Sequence, residues 1–297
     1  MNAPWWGPPI GPSGLSADMV YFAEEVHIRL GHSRPRLSTG SPMKEPAIQA
    51  ITFDLWDTLI VDDSDEPVRA KRGLKPKPEE RRALVHRFLE RHGEVADREA
   101  VDVAYDTTDA AFREVWYGQN VTWTVRTRLG VLLSGLKRGL PEEELQELVR
   151  LHEEMELEVR PALADGAKEM LEALEGKYRL GVISDAIFSP GRTLRELLSG
   201  YGILRFFEVL VFSDEIGCCK PDPRIFEAAA RGLEVDFRRM AHIGDREQKD
   251  IDGPRAVGAK GILCTAVKDR GSAGTAADAV CKELRSLPGI LEQMNSK

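Results

Sequence analysis

Short apolar runs that recur along the chain predict the strands of a parallel sheet. The first run stops at Asp54, and later runs stop at Ser184, at Ser213 and at Gly244-Asp245. Near-continuous apolar strands that alternate with helical stretches are typical of a parallel sheet covered by helices on both faces. The pattern therefore predicts an α/β fold with strands at 48–53, 180–183, 209–212, 240–243 and 261–264.

Helical periodicity fills the intervals between these runs. An insertion of about a hundred residues between the first two strands is helical throughout, and Pro141 followed by three glutamates marks a helix start. We therefore predict an α/β core at 47–62 and 160–297, interrupted by an α-helical cap at 63–159. Helices are expected in the cap at 79–91, 98–116, 122–136 and 141–158, and in the core at 166–174, 193–198, 223–232 and 251–257.

Residues 1–46 show a different pattern from the rest of the chain. They carry many Pro, Gly and Ser residues and little periodicity, which favours an N-terminal extension without stable structure. A partner-binding tail anchored by Trp5 and Trp6 is the alternative interpretation. We keep this segment out of the prediction of the site.

Composition and charge narrow the class of protein. A chain of 297 residues with 42% hydrophobic residues can bury a sizeable core. The net charge is -8 and no basic cluster accompanies an aromatic stripe, so we expect no nucleic-acid partner. No apolar run is long enough to span a bilayer and no secretory leader pattern is visible, so we expect no membrane partner and a cytoplasmic location.

The cysteines and histidines do not form recognisable metal or disulfide patterns. None of the cysteines forms a C-x-x-C pair, and the six histidines include no H-x-x-x-H pair. We expect reduced thiols, as in a cytoplasmic protein. The cysteines concerned are Cys218, Cys219, Cys264 and Cys281.

Polar residues follow the ends of the predicted strands. The carboxyl ends of parallel strands meet at one edge of the sheet, where ligands bind in open α/β folds. This edge is expected to gather Asp54, Ser184 and Asp245, and Lys220 can join them from the loop after the third strand. Carboxylates, a hydroxyl and an ammonium together suit phosphoryl transfer.

Four short motifs carry a family resemblance. Phe53-Asp54-Leu55-Trp56-Asp57-Thr58-Leu59 resembles the first motif of the haloacid dehalogenase-like superfamily, and the other three motifs follow in the family's order. The resemblance covers about residues 47–285 and implies a Rossmann-like core with the family's first type of helical cap. The remaining motifs are Ile183-Ser184-Asp185, Lys220-Pro221-Asp222, and His242-Ile243-Gly244-Asp245 with Asp250.

The resemblance implies a hydrolase that uses magnesium and an aspartyl nucleophile. Asp54 would attack the substrate and also bind Mg²⁺, together with Asp245 and the backbone carbonyl of Trp56. Asp250 would bind the metal through water or support its ligands. Ser184 would contact a phosphoryl oxygen. Lys220 would pair with Asp54 and the transferring group, and Thr58 would shape the nucleophile loop.

One position departs from the family's phosphatase pattern. The phosphatases usually carry an aspartate two residues after the nucleophile, whereas this chain has Trp56 there and Asp57 one residue later. General acid–base assistance contributes about 10²–10⁴-fold. Three explanations stay open: Asp57 or a cap residue replaces the acid, the leaving group needs little protonation, as in an acyl phosphate, or the leaving group is a halide.

The second and fourth motifs favour a phosphatase. The pair Asp245 and Asp250 suits magnesium. In the second motif, Asp185 stands at the position where the family's 2-haloacid dehalogenases carry asparagine. We therefore expect a Mg²⁺-dependent phosphatase of a small phosphorylated metabolite. A 2-haloacid dehalogenase and a catalytically weak binding or regulatory protein are the alternatives. The cap residues considered first for substrate contact are Trp116, Tyr117, Trp123, Arg126 and Arg128.

Overall fold

A six-stranded parallel sheet forms the centre of the molecule. The computed structural model describes residues 48–91 and 97–296, so the predicted extension at 1–46 lies outside the described residues. Within them the strand order is β3-β2-β1-β4-β5-β6, and every pairing is parallel. The strands are β1 Ala50–Phe53, β2 Arg179–Ser184, β3 Val209–Phe212, β4 Met240–Gly244, β5 Lys260–Cys264 and β6 Ala279–Cys281.

The register of the central strands aligns their carboxyl ends. Phe53 at the end of β1 lies opposite Val182 of β2 on one side and opposite Ile243 of β4 on the other. The residues that follow these positions therefore meet at one edge. The predicted α/β class and the five predicted strands are confirmed, although their exact ends differ by one or two residues.

The sixth strand, β6, has no counterpart among the predicted strands. It has three residues, too few to show a period in the sequence. The Asp278 carboxylate fixes its start, because Asp278 Oδ2 accepts the backbone N–H of Gly261 at 3.0 Å and Oδ1 accepts Lys260 Nζ at 3.1 Å. β6 thus extends the sheet beside β5.

Helices cover the sheet, as continuous apolar strands require. Asp222 caps the helix that follows Lys220: its side chain accepts the N–H of Arg224 at 2.9 Å, and Pro223 is the first helical residue. A π-helical turn, Glu247–Asp252, follows β4. The helices after β1's insertion are α7 Ala167–Leu174, α8 Gly191–Gly200, α9 Ser213–Ile216, α10 Pro223–Gly232, α11 Gly253–Ala256 and α12 Leu287–Asn295.

The insertion between β1 and β2 is helical in the described residues, and it encloses an apolar cluster of its own around Phe88, Leu129 and Leu148. The single helix predicted at 141–158 is divided at Glu154, where the backbone leaves the helical region. The core and cap boundaries at 62/63 and 159/160 stay predictions. The helices are α1 Glu66–Lys71, α2 Lys77–Arg91, α3 Arg98–Gly118, α4 Val125–Gly135, α5 Glu142–Glu153 and α6 Met155–Glu158.

Two expectations from composition can be compared with the described residues. All four cysteines are buried and free of disulfides. Across 48–91 and 97–296, none of the helices combines the length and apolarity needed to cross a bilayer.

Candidate active site

Asp54 begins the site, at the point where β1 ends. Its backbone N–H donates to the carbonyl of Ile243 at 2.9 Å, which holds the loop after β1 against β4. Its side chain is buried, and Oδ1 accepts a hydrogen bond from Lys220 Nζ at 2.8 Å. The structure thus brings together two predicted site residues that lie 166 positions apart in the chain.

Lys220 joins Asp54 to Asp250. It comes from the segment between α9 and α10, and its ammonium also donates to Asp250 Oδ1 at 2.6 Å. The side chain is only 2% exposed, so a lysine with no partner there would carry a large desolvation cost. Burial alone would lower the pKa of Lys220, but Asp250 and Asp54 raise it above its ordinary value. Lys220 is therefore held as a cation.

Asp250 is surrounded by hydrogen-bond donors. Besides Lys220, it accepts His242 Nε2 at 3.1 Å and the backbone N–H of Arg246 at 2.9 Å. Burial opposes ionisation of this carboxyl, but Lys220 and His242 outweigh it and hold its pKa below the ordinary range. His242 Nδ1 meets Thr52 Oγ1 at 2.9 Å, which lets a neutral imidazole accept from the hydroxyl and donate to Asp250.

Gly244 makes this arrangement of Asp250 possible. A Cβ at residue 244 would overlap the Asp250 carboxyl group. Any other residue at this position would displace Asp250 from Lys220 and His242, so the fourth motif requires glycine for a steric reason.

Three carboxylates form a compact group at the sheet edge. One oxygen from each of Asp54, Asp245 and Asp250 lies within 4.8 Å of the others. Burial raises the pKa of Asp54 to about 7; Lys220 opposes this, and the charges of Asp250 and Asp245 add to it. Burial and Asp250 likewise raise the pKa of Asp245, against the effect of Arg270. Burial, together with the neighbouring carboxylates, therefore outweighs the effect of Lys220 on the pKa of Asp54.

Three buried oxygen atoms at this edge have no hydrogen-bond partner. They are Ser184 Oγ, Thr58 Oγ1 and Asp245 Oδ1, and their side chains are at most 1% exposed. Buried polar atoms are nearly always paired, so unpaired ones require an explanation. Carboxylate oxygens in this number are the donors that Mg²⁺ prefers, and hydroxyls suit the oxygens of an anionic group. The donor set fits both.

Asp185 and Lys249 form a second buried pair at the edge. Asp185 Oδ1 accepts the backbone N–H of Lys220 at 3.0 Å, and Oδ2 accepts Lys249 Nζ at 2.7 Å. The same ammonium lies 3.4 Å from the centroid of the Trp116 ring, a cation–π contact. The sequence prediction did not include Lys249. Its place between Asp245 and Asp250 in the fourth motif was the available signal.

Asp57 occupies an unusual backbone position and is fully engaged. Its φ is 52°, a left-handed conformation that aspartate tolerates better than most residues. Its Oδ1 accepts the backbone N–H of Asp62 at 3.2 Å, and its Oδ2 accepts Arg270 Nη2 at 2.5 Å. Arg270 Nε donates in turn to Asp245 Oδ2. Arg270, in the segment between β5 and β6, belongs to none of the motifs, and the sequence prediction did not include it.

The cap residues considered for substrate contact lie in different environments. Trp116 and Phe112 are buried against Cys219, with Trp123 and Ile187 packed beside them. Tyr117 is 49% exposed. Arg128 pairs with Asp109 at 2.5 Å and donates to the carbonyl of Ile187 at 3.0 Å, whereas the exposed Arg126 pairs with Glu142 at 2.8 Å. Trp116 and Arg128 therefore contact loops of the α/β part, and Arg126 does not.

The chain matches a known family over most of its length. Residues 48–258 match the model of the haloacid dehalogenase-like hydrolases. A human protein, haloacid dehalogenase-like hydrolase domain-containing protein 3, is 38% identical over 100 residues, which cover 33% of this chain and 38% of the human protein. The glyceraldehyde 3-phosphate phosphatase of Pyrococcus abyssi is 38% identical over 98 residues, which cover 33% of this chain and 40% of that protein. These matches span less than half of either relative.

Solved structures share the fold. A 2-haloacid dehalogenase from Pseudomonas syringae superposes with a TM-score of 0.56 at 24% identity, over 83% of this chain and 99% of that one. A phosphatase from Thermococcus onnurineus gives a TM-score of 0.55 at 20% identity, over 82% and 98%. Because both activities occur on this architecture, the likeness identifies the fold and does not choose between the two.

Proposed function

The chain belongs to the haloacid dehalogenase-like hydrolases, and on this premise we propose that it is a magnesium-dependent phosphatase with Asp54 as the nucleophile. The observation that carries the proposal is the buried group of Asp54, Lys220 and Asp250 beside the unpaired Oδ1 of Asp245. A nucleophilic carboxylate, a fixed cation and spare oxygen ligands are the parts that phosphoryl transfer needs.

The chain's own residues account for most of the reaction. An Asp54 oxygen attacks phosphorus, forming an aspartyl phosphate as the bond to the leaving group breaks. The leaving group departs as an anion, which takes a proton from solvent water where it is an alkoxide. Water then attacks the aspartyl phosphate, releasing phosphate and restoring the Asp54 carboxylate. Lys220 orients Asp54 and opposes the rise in its pKa that burial causes, and it lies beside the position that the phosphoryl oxygens reach. Ser184 and Thr58 supply hydroxyl groups that lack other partners. Preorganised donors of this kind stabilise charge that develops in the transition state.

The carboxylates fit a divalent cation. We propose Asp54, Asp245 and the backbone carbonyl of Trp56 as ligands, with Asp250 supporting them from its bonds to Lys220 and His242. When bound, Mg²⁺ would neutralise charge on the transferring group. It would also oppose the burial and the neighbouring negative charges that raise the pKa of Asp54 to about 7, and so keep the nucleophile ionised.

The proposed substrate is a small phosphorylated metabolite. Relatives that match part of the chain are named as phosphatases of such compounds, including a phosphoserine phosphatase from Thermus thermophilus that is 38% identical over 68 residues. The aromatic side chains of Trp116 and Phe112 pack against Cys219, the residue that precedes Lys220. Packing of this kind suits an enclosed substrate better than a protein surface.

A second candidate, carbon–halogen cleavage, rests on Trp56. Its side chain is partly buried against the apolar core and cannot protonate a leaving alkoxide. A halide needs no proton, so the tryptophan would suit that reaction. The excess of carboxylates at the edge disfavours it, because a haloacid substrate is itself an anion.

Phosphate release decides between the two. We expect the protein to release phosphate from a panel of small phosphate esters and acyl phosphates with MgCl₂ and not with EDTA. Asp54→Asn should lower the rate by at least about 10³-fold, because it removes the nucleophile. The matched control is Asp236→Asn, at an exposed aspartate that caps the short helix before the amino end of β4, the end opposite the site, and it should leave the rate unchanged.

Two results would contradict the proposal. Full phosphate release by Asp54→Asn would exclude Asp54 as the nucleophile. Halide release from 2-haloacids, without phosphate release from any member of the panel, would establish the second candidate instead.

A further inference from the structure

A chain of contacts leads from the backbone after β1 to the metal-facing carboxylate. The N–H of Asp62 donates to Asp57 Oδ1, Asp57 Oδ2 accepts Arg270 Nη2, and Arg270 Nε donates to Asp245 Oδ2. The other oxygen of Asp245, Oδ1, is buried and has no partner. Arg270 thus binds one side of Asp245 and leaves the opposite side free.

The loop that carries Arg270 is hydrogen-bonded to the segment that follows Asp245 in the fourth motif. Glu247, two residues after Asp245, accepts Thr275 Oγ1 at 2.6 Å and the backbone N–H of Ala276 at 2.7 Å. On the near side of the loop, Asp269 accepts the backbone N–H groups of residues 271 and 272 at 2.9 and 2.8 Å. The Asp269 bonds therefore order the turn that contains Arg270, and Glu247 attaches the loop to the fourth motif on the carboxyl side of Arg270.

Asp57 is suited to hold the guanidinium in place. Its carboxylate is 9% exposed, and its left-handed backbone turns the side chain toward the residue 270 loop. Both of its oxygens have donors, so the group is arranged as an acceptor of fixed bonds. A general acid would instead present a free proton to the leaving group.

We propose that Asp57 and Arg270 are positioning residues that aim Asp245 Oδ1 at the metal. The proposal rests on the magnesium site of the proposed function, and it gives Asp57 a role other than the acid–base role considered from the sequence. Partners that orient metal ligands from behind typically change metal affinity by about 10–100-fold when they are removed. Arg270 lies beyond the segment 48–258 that matches the family model, so the family match does not supply this role.

Metal affinity of the whole chain tests the proposal without relying on activity. Mg²⁺ binding is measured by calorimetry for the wild type, Arg270→Gln, Asp57→Asn and the double variant. Each single variant should bind Mg²⁺ about 10–100-fold more weakly. The double variant should be no weaker than Arg270→Gln alone, because the two residues act in one chain of contacts. Arg238→Gln, at an exposed arginine paired with Asp236, is the matched control and should bind like the wild type.

The possible results of these binding measurements distinguish an error in the positioning role from an error in the proposed function. If the wild type binds Mg²⁺ and releases phosphate while Arg270→Gln binds Mg²⁺ equally well, the positioning role is wrong and the phosphatase stands. Tighter binding by Arg270→Gln would also overturn it, because Arg270 would then compete with the metal. A wild type that binds no Mg²⁺ would overturn both this inference and the metal site of the proposed function.

A second readout separates positioning from acid catalysis. The loss of phosphate release in Asp57→Asn should be recovered by raising MgCl₂ to saturation, and should be the same for acyl phosphates and alkyl phosphates. A loss that persists at saturating MgCl₂ and falls mainly on alkyl phosphates would show that Asp57 is the acid. Thermal unfolding of each variant, with Arg270 only partly buried at 28% exposure, checks that the fold is kept.

Discussion

Among the residues that the structure describes, two clusters of buried charged side chains differ in charge balance. The α2–α6 cluster contains Asp65 and Glu156 with Lys77 and Arg81, so its carboxylates and cations are equal in number. The site cluster has five carboxylates and three cations, a formal excess of two negative charges. Its members are Asp54, Asp57, Asp185, Asp245 and Asp250 with Lys220, Lys249 and Arg270.

The difference in charge balance is reflected in the pKa values of Lys77 in the α2–α6 cluster and Asp54 in the site cluster. In the α2–α6 cluster, burial opposes the charge of Lys77, but Glu156 and Asp65 raise its pKa above the ordinary value. In the site cluster, burial and the neighbouring carboxylates raise the pKa of Asp54 despite Lys220. A buried cluster with equal numbers of carboxylates and cations needs no further ion for charge balance. A cluster with an excess of carboxylates is stabilised when it binds a cation from solution. The two clusters should therefore respond differently to mutation and to Mg²⁺.

The largest effect is expected from Lys220→Met. This change leaves Asp54 and Asp250 without their shared cation, so phosphate release should fall by at least about 10³-fold. Breaking a buried ion pair on one side also costs about 3–5 kcal/mol in the free energy of unfolding. Urea unfolding with EDTA measures that loss, and unfolding with MgCl₂ should recover part of it.

Lys260→Met is the matched control, because Lys260 pairs with Asp278 on the surface. It should change the free energy of unfolding by less than about 1 kcal/mol. If Mg²⁺ gave Lys220→Met no more stabilisation than it gives the control, the idea that the site cluster lacks positive charge would be wrong.

A smaller effect, on stability alone, is expected from Glu156→Gln. It removes the charge that pairs with Lys77 at 3.6 Å and Arg81 at 3.3 Å, and leaves two buried cations with less compensation. The free energy of unfolding should fall by about 3 kcal/mol. The kcat of phosphate release should change less than about threefold, and MgCl₂ should not recover the stability.

Glu142→Gln serves as the exposed counterpart, since Glu142 pairs with Arg126 in solvent, and it should leave the free energy of unfolding almost unchanged. A loss of kcat in Glu156→Gln as large as that of Lys220→Met would show that the two clusters are not independent.

The smallest effect is a pH dependence of the metal-free protein. Asp54 binds its proton more tightly in the folded state, where its pKa is about 7, than at its ordinary value of 3.8. Folding therefore takes up a proton between these values, and stability falls as pH rises through this window. Between pH 5 and 7 in EDTA, this contribution should cost about 2 kcal/mol.

Urea unfolding across this pH range measures the effect as a difference between the wild type and Asp54→Asn, which lacks the titrating group. The difference should disappear in MgCl₂, because the cation favours the ionised carboxylate. An identical pH slope for both proteins in EDTA would assign the effect to other groups.

Most of the fold could be predicted from the sequence because its signals are local. A buried parallel strand must be apolar along its whole length, so β1 to β5 are visible as short runs. β6 was missed because three residues show no period, and its place depends on the Asp278 bonds to β5. The helix predicted over 141–158 is two helices because the backbone turns at Glu154.

The members of the candidate site were predictable for the same reason. Residues that follow the strands must share an edge, and the register of Phe53 with Val182 and Ile243 brings Asp54, Ser184 and Asp245 there. Lys249 and Arg270 were not predicted. Lys249 had one signal, its place between Asp245 and Asp250 in the fourth motif, whereas no local pattern distinguishes the loop residue Arg270 from a solvated arginine. Whether they reach the edge depends on how loops close around it.

The sequence by itself determined five of the six strands and the motif residues that gather at their carboxyl ends. Only the tertiary structure decided what those residues contact. Asp57 and Arg270 are separated by 213 positions, and their contact depends on the left-handed turn at Asp57 and on the loop anchored by Glu247. A periodic pattern records which face of an element is buried, whereas a contact between distant side chains exists only after the chain has packed.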